Sequence, residues 1–220
     1  MLFLIKKPKN LRLQMPNNTE KYLITPTLYN SYIYYAEGDF ELYGEKAAEI
    51  EAKAKQDFLN TLNKVYTTNE ILQRGIDFEN SVNDICNGLN VEPMENAKDV
   101  ADIVGHGIWQ EKLCKTVGDY VLYGKADVIR ADTIYDIKRV STYDCPKYEQ
   151  SIQHLLYMEC SGLEHFKYVI STGKDVYVEY YHKDADNLQK LLGRIDRMVN
   201  FIRQTPEFNK AFEANWHSKY

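Results

Sequence analysis

The chain has 220 residues, of which 44% are hydrophobic and 27% charged, with a formal net charge of −5. This composition is typical of a folded globular protein, and the length favours a single domain over residues 1–220. No run of about 20 apolar residues could span a membrane. The acidic balance disfavours broad nonspecific binding to nucleic acid. The apolar N-terminal patch precedes its lysines, the reverse of a secretory signal, so we expect a cytoplasmic protein.

Cysteine and histidine spacing gives no sign of a zinc motif. The four cysteines form no C-x-x-C pair, which predicts free thiols in a reducing compartment. The five histidines show no metal-ligand spacing to one another, and we interpret them as structural or surface residues: His106, His154, His165, His182 and His217.

The N-terminal half is predicted to be helical. Thr25 and Pro26 are typical of an N-cap and first helical residue, and open a Tyr-rich helix through about residue 35. Residues 41–65 are rich in Ala, Glu and Lys, which predicts a long helix. Residues 67–70 match a capping box. After it, apolar residues recur at helical spacing toward residue 88: Ile71, Gly75, Phe78, Val82 and Ile85.

The C-terminal half alternates strands and helices. Residues 120–130 and 133–140 are β-rich and predict an antiparallel hairpin. A helix is expected from Asp144 to about Cys160, with Gly162 just past its end. A second hairpin joins 166–171 to 176–181, and an amphipathic helix covers 184–203. The order predicts an α/β or α+β core behind a mostly helical N-terminal part.

Two aspartates face each other in the first hairpin. A symmetric turn at Ala131-Asp132 pairs Arg130 with Thr133, and counting back pairs Asp127 with Asp136, their Cβ atoms about 5 Å apart. Opposed like charges destabilise a strand pair unless a cation lies between them. The register therefore predicts a cation at this position.

Neighbouring residues extend this candidate site. Lys138 lies on the face of Asp136, whereas Ile137 points into the core and leaves its carbonyl as a further oxygen ligand. Oxygen ligands of this kind suit Mg²⁺ or Mn²⁺. Lys125, opposite Lys138, is a candidate phosphate contact or else a solvated strand lysine. An isolated D-x-K pattern is more often part of a charged surface strand, so a metal site can be predicted only if other residues support it.

Two helices supply such residues. Glu79 lies beside the apolar stripe of its helix, where a carboxylate must be paired, protonated or metal-bound. Alone it could be a boundary glutamate, but Gly75, one turn earlier, leaves access for a ligand. Gln153 and Tyr157 are one turn apart on the helix after the Asp136 strand, and so share a face.

These motifs together resemble the PD-(D/E)XK nuclease superfamily, in its RecB-like branch of phage recombination and CRISPR adaptation exonucleases. The resemblance rests on four motifs between residues 25 and about 170, G-x-x-x-E, GKAD, DIK and Q-x-x-x-Y, with the Thr25-Pro26-Thr27 helix. It implies a restriction-endonuclease-like core with a central mixed sheet flanked by helices. Its implied metal ligands are Glu79, Asp127 and Asp136, with Lys138 activating or positioning water, and Gln153 and Tyr157 contacting DNA or shaping the site.

Some features depart from that pattern. Ala126 replaces the proline of the superfamily name, and many relatives carry histidine where Glu79 stands. The cysteines do not match the iron–sulfur members, so no cluster is predicted. The resemblance therefore implies a Mg²⁺- or Mn²⁺-dependent DNA exonuclease, phage or prophage encoded, with a single-strand annealing protein as partner and a homo-oligomeric state. The alternatives are an endonuclease of the same fold and a non-catalytic DNA-binding relative.

Overall fold

The structure is a computed structural model that describes residues 21–66 and 69–218. Its strands are β1 (Lys21–Ile24), β2 (Ile108–Val117), β3 (Tyr120–Arg130), β4 (Thr133–Arg139), β5 (His165–Ser171), β6 (Val176–His182) and β7 (His217–Ser218). Its α-helices are α1 (Pro26–Ala36), α2 (Ala47–Leu62), α3 (Glu70–Cys86), α4 (Ala97–Val104), α5 (Cys145–Gln150), α6 (Gln153–Ser161), α7 (Asn187–Gln204) and α8 (Pro206–Asn215).

The strands form one mixed sheet in the order β6-β5-β4-β3-β1-β7, with β2 also paired to β3. The β1–β3 and β4–β5 pairs are parallel, and the other pairs are antiparallel. Helices flank this sheet, which confirms the predicted α/β class with a helical N-terminal part. Among the described helices, none is long and apolar enough to cross a membrane.

Two hydrophobic cores cover the two faces of the sheet. The first combines α1, α2, α6, α7 and α8 with strand residues such as Ile134 and Tyr168. The second combines α3 and α4 with Tyr135, Ile137 and Val169. Because successive strand residues point to opposite faces, Ile134 and Tyr135 join different cores. The apolar runs of β4 and β5 are therefore explained by burial on both sides.

Strand β3 has an interrupted edge. One edge pairs with β2 along most of its length. The other edge is shared: β1 pairs with Tyr120–Leu122, and β4 pairs with Val128–Arg130. Within the described residues, 123–127 have no strand partner on that side. We call this opening between β1, β3 and β4 the fork.

The predicted N-terminal helices are present with changed boundaries. Thr25 caps α1 as predicted, its side chain accepting a hydrogen bond from the Leu28 amide at 3.2 Å. The predicted 41–65 helix is divided, because Gly44 adopts φ 54° within a 3₁₀ segment (Phe40–Lys46) that precedes α2. A backbone with positive φ cannot continue a right-handed helix.

The third predicted helix has the expected extent, but not all of the apolar residues predicted to face the core are buried. Thr67 and Thr68, which begin the predicted capping box, lie outside the described residues, as does the N-terminal patch. Asn69 is the N-cap of α3, and its side chain accepts from the Leu72 amide at 2.8 Å. Phe78 and Val82 are buried as predicted, whereas Ile71 is 81% exposed. The first turns of α3 therefore lie beyond the second core.

The C-terminal half follows the prediction with one break and several additions. Both predicted hairpins form, and Gly162 ends α6 with φ 76°. The predicted Asp144–Cys160 helix is split into α5 and α6, because Ser151 is extended between them. The last long helix begins at Asn187 rather than residue 184. The elements β1, β2, α4, α8 and β7 were not predicted.

Candidate metal centre at the fork

Asp127 lies where β3 and β4 separate. The predicted register is confirmed from Arg130–Thr133 to Val128–Tyr135, and stops one residue short of the two aspartates. The Asp127 Oδ2 atom instead accepts a hydrogen bond from the Ile137 amide at 2.7 Å. Its side chain thus replaces a backbone partner. Since a strand residue directs its N–H and C=O to the same edge, the Ile137 carbonyl also faces the fork.

Gln110 marks an irregularity on the other side of β3. It lies between the Trp109–Val128 and Glu111–Ala126 pairs, opposite Asp127, and has φ 57°. Its side-chain amide donates to Glu79 Oε1. Ala126 packs in the first core but Val128 in the second, so the alternation of faces is interrupted at Asp127. Sequence reasoning missed Gln110, because nothing in the pattern signals a left-handed glutamine within a strand.

Three carboxyl groups converge in this region. Asp127 is within hydrogen-bond range of both Glu79 and Asp136. Burial raises the pKa of Asp127 well above its ordinary value, and the Asp136 charge raises it further. Burial likewise raises the pKa of Asp136 and of Glu79. Carboxyl groups this close cannot all be charged unless a cation lies between them; without one, at least one of them holds a proton.

Lys138 supplies positive charge beside these carboxyl groups. Its Nζ atom is 2.5 Å from Asp136 Oδ2. Burial disfavours the charged ammonium, but the Asp136 and Asp127 carboxylates outweigh it and raise the pKa of Lys138. Lys138 therefore remains protonated at neutral pH. One lysine compensates only part of the charge that three carboxylates would carry.

The helix α6 holds the remaining predicted residues against the fork. Gln153 donates through its side-chain amide to Asp136 Oδ1, and to the Tyr157 hydroxyl at 3.2 Å. The Tyr157 hydroxyl in turn contacts the backbone of Lys125, at 3.3 Å from the amide and 2.9 Å from the carbonyl. This hydroxyl satisfies backbone groups that lack a strand partner.

Gly124 makes the approach of Tyr157 possible. A Cβ atom added at Gly124 would lie 2.2 Å from Tyr157 Cε1. The glycine is therefore required for close packing of the α6 ring on β3. This fits its position at the start of the GKAD motif, although sequence reasoning did not identify the contact.

A cleft of about 710 Å³ opens in front of the fork. Lys64, Lys125 and Lys138 line it, and no acidic side chain is among its described lining residues. Tyr66 and Tyr123 contribute aromatic surface, and Thr27 lies at the first turn of α1. Although the chain carries a net charge of −5, the wall of this cleft is therefore locally basic.

The donor set fits a hard divalent cation. Asp127, Asp136 and Glu79 bring carboxylate oxygens together, and the Ile137 carbonyl faces the same gap. Mg²⁺ and Mn²⁺ prefer such oxygen ligands, whereas zinc and copper sites favour nitrogen and sulfur. A cation would also relieve the repulsion that raises the carboxyl pKa values. The residues present are thus able to hold the metal that the resemblance implies.

All eight residues predicted for the site lie at the fork or its cleft: Glu79, Lys125, Asp127, Asp136, Ile137, Lys138, Gln153 and Tyr157. Lys125 is exposed but near enough for its charge to lower the pKa of Glu79. The Gly75 position is open, since an added Cβ would meet no atom within 4 Å. The roles of these residues remain predictions.

Comparison with known proteins does not assign this chain to a family. No protein-family model and no curated protein matches it. Among solved structures, SSO0001 aligns over 87% of this chain and 80% of its own, with 12% identity and a TM-score of 0.49. The alkaline exonuclease LHK-Exo from Laribacter hongkongensis aligns over 87% and 90%, with 13% identity and a TM-score of 0.48. Similarities at this level carry no functional conclusion.

Proposed function

We propose that this chain is a divalent-metal-dependent nuclease that hydrolyses phosphodiester bonds of DNA. The observation that carries the proposal is the convergence of three carboxyl groups and one lysine at the fork. They come from three separate elements, α3, β3 and β4, and meet beside a basic cleft. Retention of the whole set favours an active enzyme over a non-catalytic DNA-binding relative.

The ligands of the cation are proposed to be Glu79, Asp127 and Asp136, with the Ile137 carbonyl. When bound, Mg²⁺ or Mn²⁺ would polarise the scissile phosphate and lower the pKa of a water molecule. Gln110 and Gln153 orient the Glu79 and Asp136 carboxylates through hydrogen bonds. Such outer partners are a common means of fixing ligand orientation.

Lys138 is proposed to act through its charge. In the metal-free protein the neighbouring carboxylates raise its pKa, so its ammonium form is present at the fork. This ammonium group is proposed to hold the attacking water and to stabilise negative charge that develops on the phosphorane. Lys125 and Lys64, which line the cleft, are proposed to contact the phosphates of the DNA backbone.

The finer assignment rests on the resemblance to the RecB-like branch of the PD-(D/E)XK superfamily. By that resemblance the chain is a single nuclease domain over residues 1–220, acting as an exonuclease in recombination or repair. A cytoplasmic, phage or prophage setting, an annealing-protein partner and a homo-oligomer belong to the same proposal. An endonuclease of the same fold is the alternative.

Digestion of linear and closed circular DNA of the same sequence separates these alternatives. We expect the full chain with Mg²⁺ or Mn²⁺ to degrade linear DNA, and to leave circular DNA intact. Cutting of the circle would select the endonuclease. EDTA should stop either reaction. Absence of metal-dependent cleavage from both substrates would overturn the proposed function.

A further inference from the structure

A histidine pair lies at the far end of the hairpin β5–β6, which we call the outer hairpin. His165 is the first residue of β5 and His182 is the last residue of β6, and the two are register partners. Their ring centroids are 5.0 Å apart. Directly opposed residues of an antiparallel pair have Cβ atoms about 4.5–5.5 Å apart, so both imidazoles can reach one ion.

We propose that Glu164, His165 and His182 form a transition-metal site of the zinc class. One ligand atom from each of these three side chains lies within 4.8 Å of the other two. The Lys183 amide donates to the Glu164 carbonyl at 2.8 Å, which holds Glu164 beside the end of β6. Two imidazoles and a carboxylate form a nitrogen-and-oxygen set that suits Zn²⁺ rather than Mg²⁺ or Ca²⁺.

The orientation of His165 suits a metal ligand. Its Nδ1 atom is 2.5 Å from the Tyr180 hydroxyl. With Nδ1 protonated and donating to that hydroxyl, the Nε2 lone pair is free for a metal. The Nε2 atom lies 3.6 Å from Asp132 Oδ2, so the β3–β4 turn places a second carboxylate beside the same nitrogen.

The local charge favours a cation. Glu164 and Asp132 bring two carboxylates to the imidazoles, while the nearby Asp184 carboxylate is paired with the Lys190 ammonium. The adjacent Lys183 directs its ammonium to Glu159, 3.1 Å away. A metal here would join the ends of β5 and β6 to the β3–β4 turn, and would therefore stabilise the folded sheet.

This site is separate from the fork. Asp136 pairs with Tyr168, three residues along β5 from His165, which corresponds to about 10 Å. Residues three apart on a strand also point to opposite faces. Thus the two sites share no ligand, and the histidine site does not rest on the proposed nuclease function.

Calorimetric titration with ZnCl₂ tests the proposal directly. The full chain without a polyhistidine tag is stripped with chelator and kept in excess Mg²⁺, which occupies oxygen-rich sites. We expect one Zn²⁺ per chain, with at least tenfold weaker binding in His165→Ala and His182→Ala. Tyr180→Phe should weaken binding by about 10–100-fold, as loss of an outer partner commonly does. His106→Ala is the matched control and should bind as the wild type does.

Two further readouts separate the site from adventitious binding to the exposed thiols of Cys114 and Cys145. Co²⁺ bound by histidine lacks the thiolate absorption that cysteine ligands give. Saturating Zn²⁺ should also raise the Tm of the wild type by roughly 5 °C, but not that of His182→Ala. Absent binding, or binding that both histidine variants retain, would overturn the proposal.

Discussion

The fork and the outer hairpin are parts of one sheet with opposite designs. At the fork the strand ladder is interrupted, and the side chains of Asp127 and Tyr157 bond to backbone groups in place of a strand. In the outer hairpin the ladder is continuous, with seven register pairs from His165–His182 to Ser171–Val176. The continuous ladder leaves its candidate ligands at the surface, whereas the interrupted one places charged groups inside the protein.

Burial gives the two regions opposite dependences on pH. At the fork, burial raises the pKa values of the carboxyl groups. Behind the outer hairpin, the ring of His154 stacks on Tyr181 at 4.1 Å, and burial lowers its pKa to about 3. A metal-free fork therefore loses stability as pH rises, and the His154 region loses stability as pH falls. At neutral pH the metal-free fork therefore holds carboxyl groups whose repulsion a cation would relieve, whereas the buried imidazole of His154 is neutral.

The largest expected effect on stability comes from a substitution at Gly124 that prevents α6 from packing closely on β3. Gly124→Ala should destabilise the protein by about 3 kcal/mol, because the new methyl group would collide with the Tyr157 ring. Urea unfolding measures this change. Gly193→Ala is a matched control, since a Cβ there meets no atom within 4 Å. In the Tyr157→Leu background, Gly124→Ala should lower the free energy of unfolding by less. An equal loss in both backgrounds would refute the contact between residue 124 and the Tyr157 ring.

The next effect tests His154, the α6 residue that packs behind the outer hairpin. Unfolded His154 titrates near pH 6.5 and the folded ring near pH 3, so the unfolded chain binds the extra proton first. Stability from the neutral ring is present above pH 6.5 and is lost as pH falls, by about 2 kcal/mol at pH 5.

Urea unfolding at pH 7 and pH 5 checks this dependence. His154→Leu should remove that portion of the pH dependence, whereas His106→Leu should leave it in place. If His154→Leu loses as much stability as the wild type between the two pH values, then His154 is not the group responsible.

A smaller effect of opposite sign is expected at the fork. The raised pKa of Asp127 means that stability is lost as pH rises from the ordinary carboxyl range through the folded pKa. Asp127→Asn removes this charge and can still accept from the Ile137 amide. It should therefore stabilise the metal-free protein at pH 8 by about 1 kcal/mol, with a Tm increase of roughly 2–4 °C. A lower Tm in EDTA would contradict the account of buried repulsion.

The smallest effect on stability is expected for the partner of Glu79. Gln110→Ala removes the amide that orients this carboxylate. We expect Mn²⁺ binding to weaken by about tenfold, with little change in the Tm of the metal-free protein. Gln73→Ala, on an exposed turn of α3, the helix that carries Glu79, is the control for a nonspecific effect. Equal Mn²⁺ affinities of Gln110→Ala and the wild type would remove Gln110 from the site.

The central residues of the fork could be predicted from the sequence, because strand periodicity and a short turn depend only on residues close together in the chain. Asp127, Asp136 and Lys138 could be aligned by counting from Ala131-Asp132. Gln110 could not be found in this way, because its role depends on β2 pairing with β3 and on a left-handed backbone. The break at Ser151 was hidden within a continuous helical pattern.

The pairing of His165 with His182 was also missed, although it could have been predicted from the sequence. The second hairpin was predicted over 166–171 and 176–181, and one further step of the same register pairs His165 with His182. The linear spacing of the histidines obscured that contact. Asp132, however, joins them only through the parallel β4–β5 pairing. Such a long-range contact cannot be read from local periodicity.

The fork carboxylates are proposed to support metal-dependent cleavage of DNA. Release of acid-soluble nucleotides from linear duplex DNA in Mn²⁺, compared between the wild type and Asp136→Asn, tests it most directly. We predict cleavage by the wild type and a loss of about 10³-fold or more in the variant, with a comparable Tm. No cleavage by the wild type, or equal cleavage by both proteins, would contradict the claim.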